Sequence, residues 1–332
     1  IDMSKLAGET KISLDGAHFN KFTDQTNSKV ASYNTNKNVN MIADNIDYKD
    51  SMIKVGDNAT FLYKANGDTH TKSCSNVRLV TADGVTFNYA ASGAATSYSA
   101  KAGTDNVSRN VTMNNSGLNG KVAIDANDVR ISTNANTNDS NINIKNTVIR
   151  GRKLVNGENN NIQIIASGDT NVENTRIDTV NTQYSVIDDT KLHDTTDKVG
   201  GQVYIRGENN LNIKDSVIKT AGTSKELTST GKPSSSGNVN LIAGKGTVNT
   251  DNTKVIASGD IYSRSNKDTI NLNNSLLKAK NTVGDNPQAK NILIKAPANV
   301  NINDSVAGAD IISATNNTAT NENINITSTQ KD

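Results

Sequence analysis

Few residues in this chain could carry chemistry. Asp188 and Asp189 form the clearest carboxylate couple. Paired carboxylates are what a glycosidase requires, and a polysaccharide lyase uses them with a metal or an arginine base. These two fall in a predicted loop, and neighbours on an extended chain point to opposite sides, which keeps them from working on one sugar ring together. Sugar grooves also lean on aromatic platforms, whereas this chain has no Trp and is only 4% aromatic. His18, His70 and His193 share no metal-ligand spacing, and Cys74 is the single cysteine, which leaves no thiolate site and no intrachain disulfide. The glycine-rich turns SGD (167–169) and GKG (244–246) precede no Lys-Ser/Thr and no helix, unlike a phosphate loop. The expectation is a protein that is not an enzyme, with no catalytic residues, no cofactor and no metal. A β-helical lyase or glycosidase is the alternative.

The richer constellation is polar and suited to recognition. Tyr184, Asp188, Asp189, Lys191 and His193 lie in 180–201 (VNTQYSVIDDTKLHDTTDKVGG), and Lys225, Glu226 and Lys232 lie in 220–237 (TAGTSKELTSTGKPSSSG). What must position them is a repeat. The octapeptides 248–255 (VNTDNTKV) and 270–277 (INLNNSLL) share the order apolar or Thr, x, apolar or Thr, x, Asn/Asp, Ser/Thr, x, apolar, and begin 22 residues apart. The same frame fits 46–53, 111–118, 142–149, 170–177, 211–218 and 300–307, with looser copies at 12–19 and near Val85 (VTFNYA). Such periods mark an array whose units stack because none can bury its apolar face alone.

A second short alternating strand precedes most octapeptides, as in 162–166, 203–205, 239–243 and 292–294. Period-2 alternation is a strand signature, and helical spacing is missing throughout. Strands that recur about every 20 residues with a turn after each must pair with their counterparts in the next unit. The predicted fold is therefore all-β: a single right-handed parallel β-helix of about ten rungs, on the order of 50 Å long, filling 1–332 as one domain, loose over 1–109 and regular over 110–327. A thin prism needs little apolar volume, which fits a hydrophobic content of 34%. The recurring Asn/Asp suits a stacked amide ladder better than a ligand-presenting row.

Extra residues enter after the octapeptide, at one corner. The gap is smallest between Val255 and Ile261 and widest between Ile177 and Val203. Insertions at one corner of a solenoid project from one edge, often the binding face. Lys+Arg 35 against Asp+Glu 33 gives no broad basic surface, so nucleic acid is not an expected partner. A monomer is expected.

The run NLIAGKGTVNTDNTKVIASGDI (240–261) resembles the haemagglutinin-type repeats of two-partner-secretion exoproteins. That family includes filamentous haemagglutinin adhesins and the toxin-delivery proteins of contact-dependent growth inhibition. The likeness covers 110–327 well and the first hundred residues loosely; the NPNG or NPNL signatures of the family's secretion domain and a toxin-like tail are missing, so an internal segment is expected. The resemblance implies a rod secreted through an outer-membrane partner and displayed on a Gram-negative cell. Its receptor would be an outer-membrane protein or lipopolysaccharide on a neighbouring bacterium, or a host-cell surface. The long insertions favour receptor recognition over a passive spacer shaft.

Overall fold

The computed structural model describes residues 11–23, 39–43, 45–57, 76–81, 86–89, 95–99, 110–126, 128–133, 140–151, 162–179, 202–220, 237–281, 291–311 and 324–328. Three nine-stranded parallel sheets are wound from one chain. Face I holds Lys11–Asp15, Asn45–Lys49, Val111–Asn114, Ile142–Lys145, Thr170–Glu173, Leu211–Lys214, Val248–Asp251, Ile270–Asn273 and Val300–Asn303. Face II holds His18–Thr23, Met52–Asp57, Val122–Ala126, Val148–Gly151, Arg176–Thr179, Val217–Thr220, Lys254–Ala257, Leu276–Asn281 and Val306–Ile311. Face III holds Val39–Ala43, Asn76–Thr81, Asp128–Thr133, Ile162–Ala166, Val203–Gly207, Val239–Ala243, Ile261–Ser265, Ile292–Ala296 and Ile324–Ser328. The chain visits I, II and III in turn, which makes nine coils of a parallel β-helix, numbered here from the one that begins at Lys11. At ~4.8 Å per step, eight steps span about 38 Å.

Register lines the apolar positions into columns. Leu14, Tyr48, Met113, Ile144, Val172, Ile213, Thr250, Leu272 and Ile302 stack along face I. Ile53, Ile124, Ile149, Ile177, Ile218, Val255 and Leu277 stack along face II. Nearly all are fully buried; Ile302, in the last coil, is 38% exposed. Because strand side chains alternate, two or three inward positions per strand fill the prism, and low overall hydrophobicity suffices.

The octapeptide corner is built from its two polar residues. Asp50, Asn146, Asn174, Asp215, Asn252, Asn274 and Asp304 all have φ between 44° and 52°. Among residues with a side chain, Asn and Asp tolerate this left-handed region best. The Ser or Thr that follows turns inward, and its hydroxyl donates to the carbonyl two residues earlier at 2.6–2.9 Å, as in Ser51, Thr147, Thr175, Ser216, Thr253 and Ser275. Ser51, Thr175, Ser216, Ser275 and Ser305 also accept the N–H at the same place in the preceding coil.

Two expectations are corrected. The octapeptide at 111–118 is interrupted: a 3-10 turn, Ser116–Leu118, follows Val111–Asn114, and Ile124 rather than Leu118 takes the face II core position. The buried Asn115 side chain replaces the corner hydroxyl, accepting the Ser51 N–H and donating to Thr147 Oγ1. A bulge then shifts the register at Ala123, and Tyr48 Oη donates to the Ala123 carbonyl at 2.8 Å inside the core. The stretch near Val85 is not a coil strand: Thr86–Tyr89 pairs antiparallel with Ala95–Ser99 as a hairpin inserted between faces III and I. Insertions therefore enter at two corners. The II-to-III corner takes those after Thr23, Asp57, Gly151, Thr179, Thr220, Asn281 and Ile311, and the hairpin enters at the next corner.

Candidate functional site

Tyr184, Asp188, Asp189, Lys191, His193, Lys225, Glu226 and Lys232 all lie outside the described residues, as do His70, Cys74 and His193. The structure does fix the bases of the two segments that carry the first eight. Thr179 pairs with Thr220 on face II, and Val203 pairs with Val239 on face III. Both segments leave and return at stacked positions on neighbouring coils, one step of ~4.8 Å apart.

The second base is tied shut. Thr220 Oγ1 donates to the Gly237 carbonyl and accepts the Ser258 N–H of the next coil. Gly237 sits at φ +85°, and a Cβ there would meet Ser258 Oγ at 2.0 Å. Glycine alone lets the returning chain pass this close. In coil 7 the same corner is closed by three residues, Ser258, Gly259 and Asp260. Coil closure therefore needs no long segment.

The acids that the structure does align are different ones. Asp125, Arg150, Asp178 and Lys219 share one register position on face II, with alternating sign. Asp125, Arg150 and Asp178 are buried, and Arg176 Nε donates to Asp178 Oδ2. Burial raises the Asp178 pKa, and the nearby Arg176 charge and hydrogen bond oppose the rise. Asp125 and Asp178 are two coils apart with Arg150 between them, so the two acids do not meet as a carboxylate pair. Arg150, Asp178 and Lys219 each follow the last apolar residue of an octapeptide in the sequence, whereas Asp125 enters the column only through the coil 3 bulge. Among the described residues, no cluster of His, Cys, Asp and Glu could hold a metal ion, and no helix is long and apolar enough to cross a membrane.

Face I presents amides. The Nδ2 groups of Asn171, Asn212, Asn249, Asn271 and Asn301 each donate to the Oδ1 one coil before, starting from Asn143, at 2.7–2.9 Å. A second row runs along the left-handed corner, from Asn174 to Asn146 and from Asn274 to Asn252 to Asp215. A third stitches the III-to-I corner, where the Asn110, Asn141, Asp169 and Asn210 side chains accept backbone N–H groups from the next coil. The asparagines thus bond chiefly to one another and to the backbone, as the ladder reading expected.

Face III is unlike the other two. One outward column reads Gln163, Tyr204, Asn240, Tyr262, Leu293 and the next reads Ile165, Arg206, Ile242, Arg264, Lys295. Tyr262 Oη donates to Asp260 Oδ2 at 3.1 Å, and Arg206 is paired with Glu208 at 2.6 Å. Compared with protein-family models, with curated proteins and with solved structures, the chain matches none.

Proposed function

We propose that this chain is a receptor-recognition segment of a surface-displayed exoprotein rod, in which segments inserted at the II-to-III corner contact a receptor on another cell. The receptor is an outer-membrane protein or lipopolysaccharide of a neighbouring bacterium, or a host-cell surface. The rod itself is secreted through a two-partner transporter to the outside of a Gram-negative cell. The repeat likeness supports secretion and display. One observation supports recognition: the bases at Thr179/Val203 and Thr220/Val239 are stacked in register, while coil 7 shows the same corner closed by three residues. Long segments that the coil does not need, mounted side by side on rigid strands, are the usual arrangement of a binding edge.

The test replaces 180–202 and 221–238 each with the Ser-Gly-Asp corner of coil 7 and measures binding to intact cells and to outer-membrane preparations. Loss of binding with an unchanged β-rich circular dichroism spectrum is expected. Retained binding overturns the proposal and leaves the rod as a spacer.

A further inference from the structure

Like charges directly opposite each other on neighbouring strands destabilise a sheet, and opposite charges support it. Two faces of this rod obey that rule. Face I stacks Lys145, Glu173, Lys214 and Asp251, and face II stacks Asp125, Arg150, Asp178 and Lys219. Face III breaks it. Arg264 stands directly opposite Lys295, both exposed, with no acid between or beside them in the column. Lys245 and Lys267, also exposed, follow at the III-to-I corner of coils 6 and 7. The acids on this side are Glu208, which holds Arg206, Asp260, which holds the Tyr262 hydroxyl, and Asp268 at the corner beyond Lys267. Arg264, Lys295, Lys245 and Lys267 form no ion pair among the described residues.

Beside the cations lies an aromatic column. Tyr204 and Tyr262 are two coils apart, about 10 Å, with Asn240 between and Leu293 beyond. The Tyr262 hydroxyl donates to Asp260 Oδ2, two positions back at the end of the preceding turn. The register thus gives half-exposed tyrosines in one column, amide and apolar side chains between and beyond them, and a column of cations alongside.

We infer that face III of coils 5–8 binds an acidic polysaccharide lying along the rod. Sugar rings would rest on Tyr204 and Tyr262, at a spacing close to the disaccharide repeat of an extended glycan. Carboxylate, sulfate or phosphate groups on those sugars would meet Arg264 and Lys295, with Lys245 and Lys267 as the outer contacts. Charge-assisted bonds from a guanidinium fork suit such anions. The site is made of strands and owes nothing to the segments at the II-to-III corner, so the variant lacking both segments keeps it.

Binding is measured in low salt, by fluorescence polarisation, with four probes: polygalacturonate, dextran sulfate, uncharged dextran and single-stranded poly-dT. Polygalacturonate or dextran sulfate should bind and uncharged dextran should not. Arg264→Gln with Lys295→Gln should weaken binding on the order of tenfold or more, with melting unchanged or raised because a repulsive pair has gone. Tyr204→Ala with Tyr262→Ala should also weaken it, which a purely electrostatic surface would not show. Lys245→Gln with Lys267→Gln is a second, corner-only variant that leaves the sheet untouched and should weaken it too. Failure of both acidic glycans to bind overturns the inference, as does binding indifferent to all three double variants. Equal or tighter binding of poly-dT would show a general polyanion surface and overturn it as well.

Discussion

Most side chains in the interior follow their column, and coil 7 holds two of the exceptions. Thr250 stacks between Ile213 and Leu272, and Ser263 stacks between Leu241 and Ile294. Their hydroxyls are buried without a hydrogen-bond partner among the described residues, as is that of Ser258, and all three belong to coil 7. A buried hydroxyl left unpaired costs about 1–3 kcal/mol. Thr250→Val keeps the shape and removes the orphan, so chemical denaturation should show a gain on the order of 1 kcal/mol. A loss of that size would mean the hydroxyl is bonded in solution. This detail was not legible beforehand: the frame accepts Thr as readily as an aliphatic residue at its first and third places. Thr170, also in an apolar column, donates to the Arg206 carbonyl at 2.8 Å. Only the register distinguishes the satisfied threonine from the orphan.

A strand here is stable only through the strands above and below it. Ile213 lies between Val172 and Thr250 and is 1% exposed. Ile213→Asp forces a carboxylate into a core with no cation in reach, and should cost several kcal/mol. Hydrogen exchange should then show the loss of protection centred on coils 5–7 and fading outward, as nearest-neighbour coupling requires. Uniform protection with unchanged melting would place Ile213 outside the core. Elements such as this were readable because apolar, polar and corner residues recur at one spacing. The coil 3 turn was misread for a physical reason: VTMNNSGL satisfies the frame letter by letter, yet Asn115 at φ −118° does not take the left-handed corner conformation, its side chain fills the hydroxyl's place, and the chain turns through Ser116–Leu118 before Ile124 reaches the core. The hairpin near Val85 alternates like any strand, and alternation does not say which neighbour it will pair with.

For the whole molecule, coil equivalence makes a stringent prediction. Val248 pairs with Ile270, so excising 248–269 joins Thr247 to Ile270 and brings Leu211–Lys214 onto Ile270–Asn273 with every column intact. That variant should fold to a β-rich rod one coil shorter. Excising 248–268 instead shifts the phase by one residue, turning inward positions outward, and should leave an unfolded or aggregated product. If both fold equally well, the columns do not hold the rod together. The long insertions could be counted in the sequence and their corner located from it, but the cationic strip on face III could not. Arg206, Arg264 and Lys295 lie far apart along the chain, and only the stacking of coils 5, 7 and 8 makes them neighbours.

The uneven closure of the II-to-III corner has one more effect. A column of identical storeys would offer a visiting molecule the same handhold at every level, and it could settle at any height with equal ease. The short Ser258–Asp260 closure and the still shorter junction between Ala126 and Asp128, with longer segments between and beyond them, mark particular heights on the rod. They act as two unequal index marks, and because they differ from each other they give a bound partner a direction along the axis.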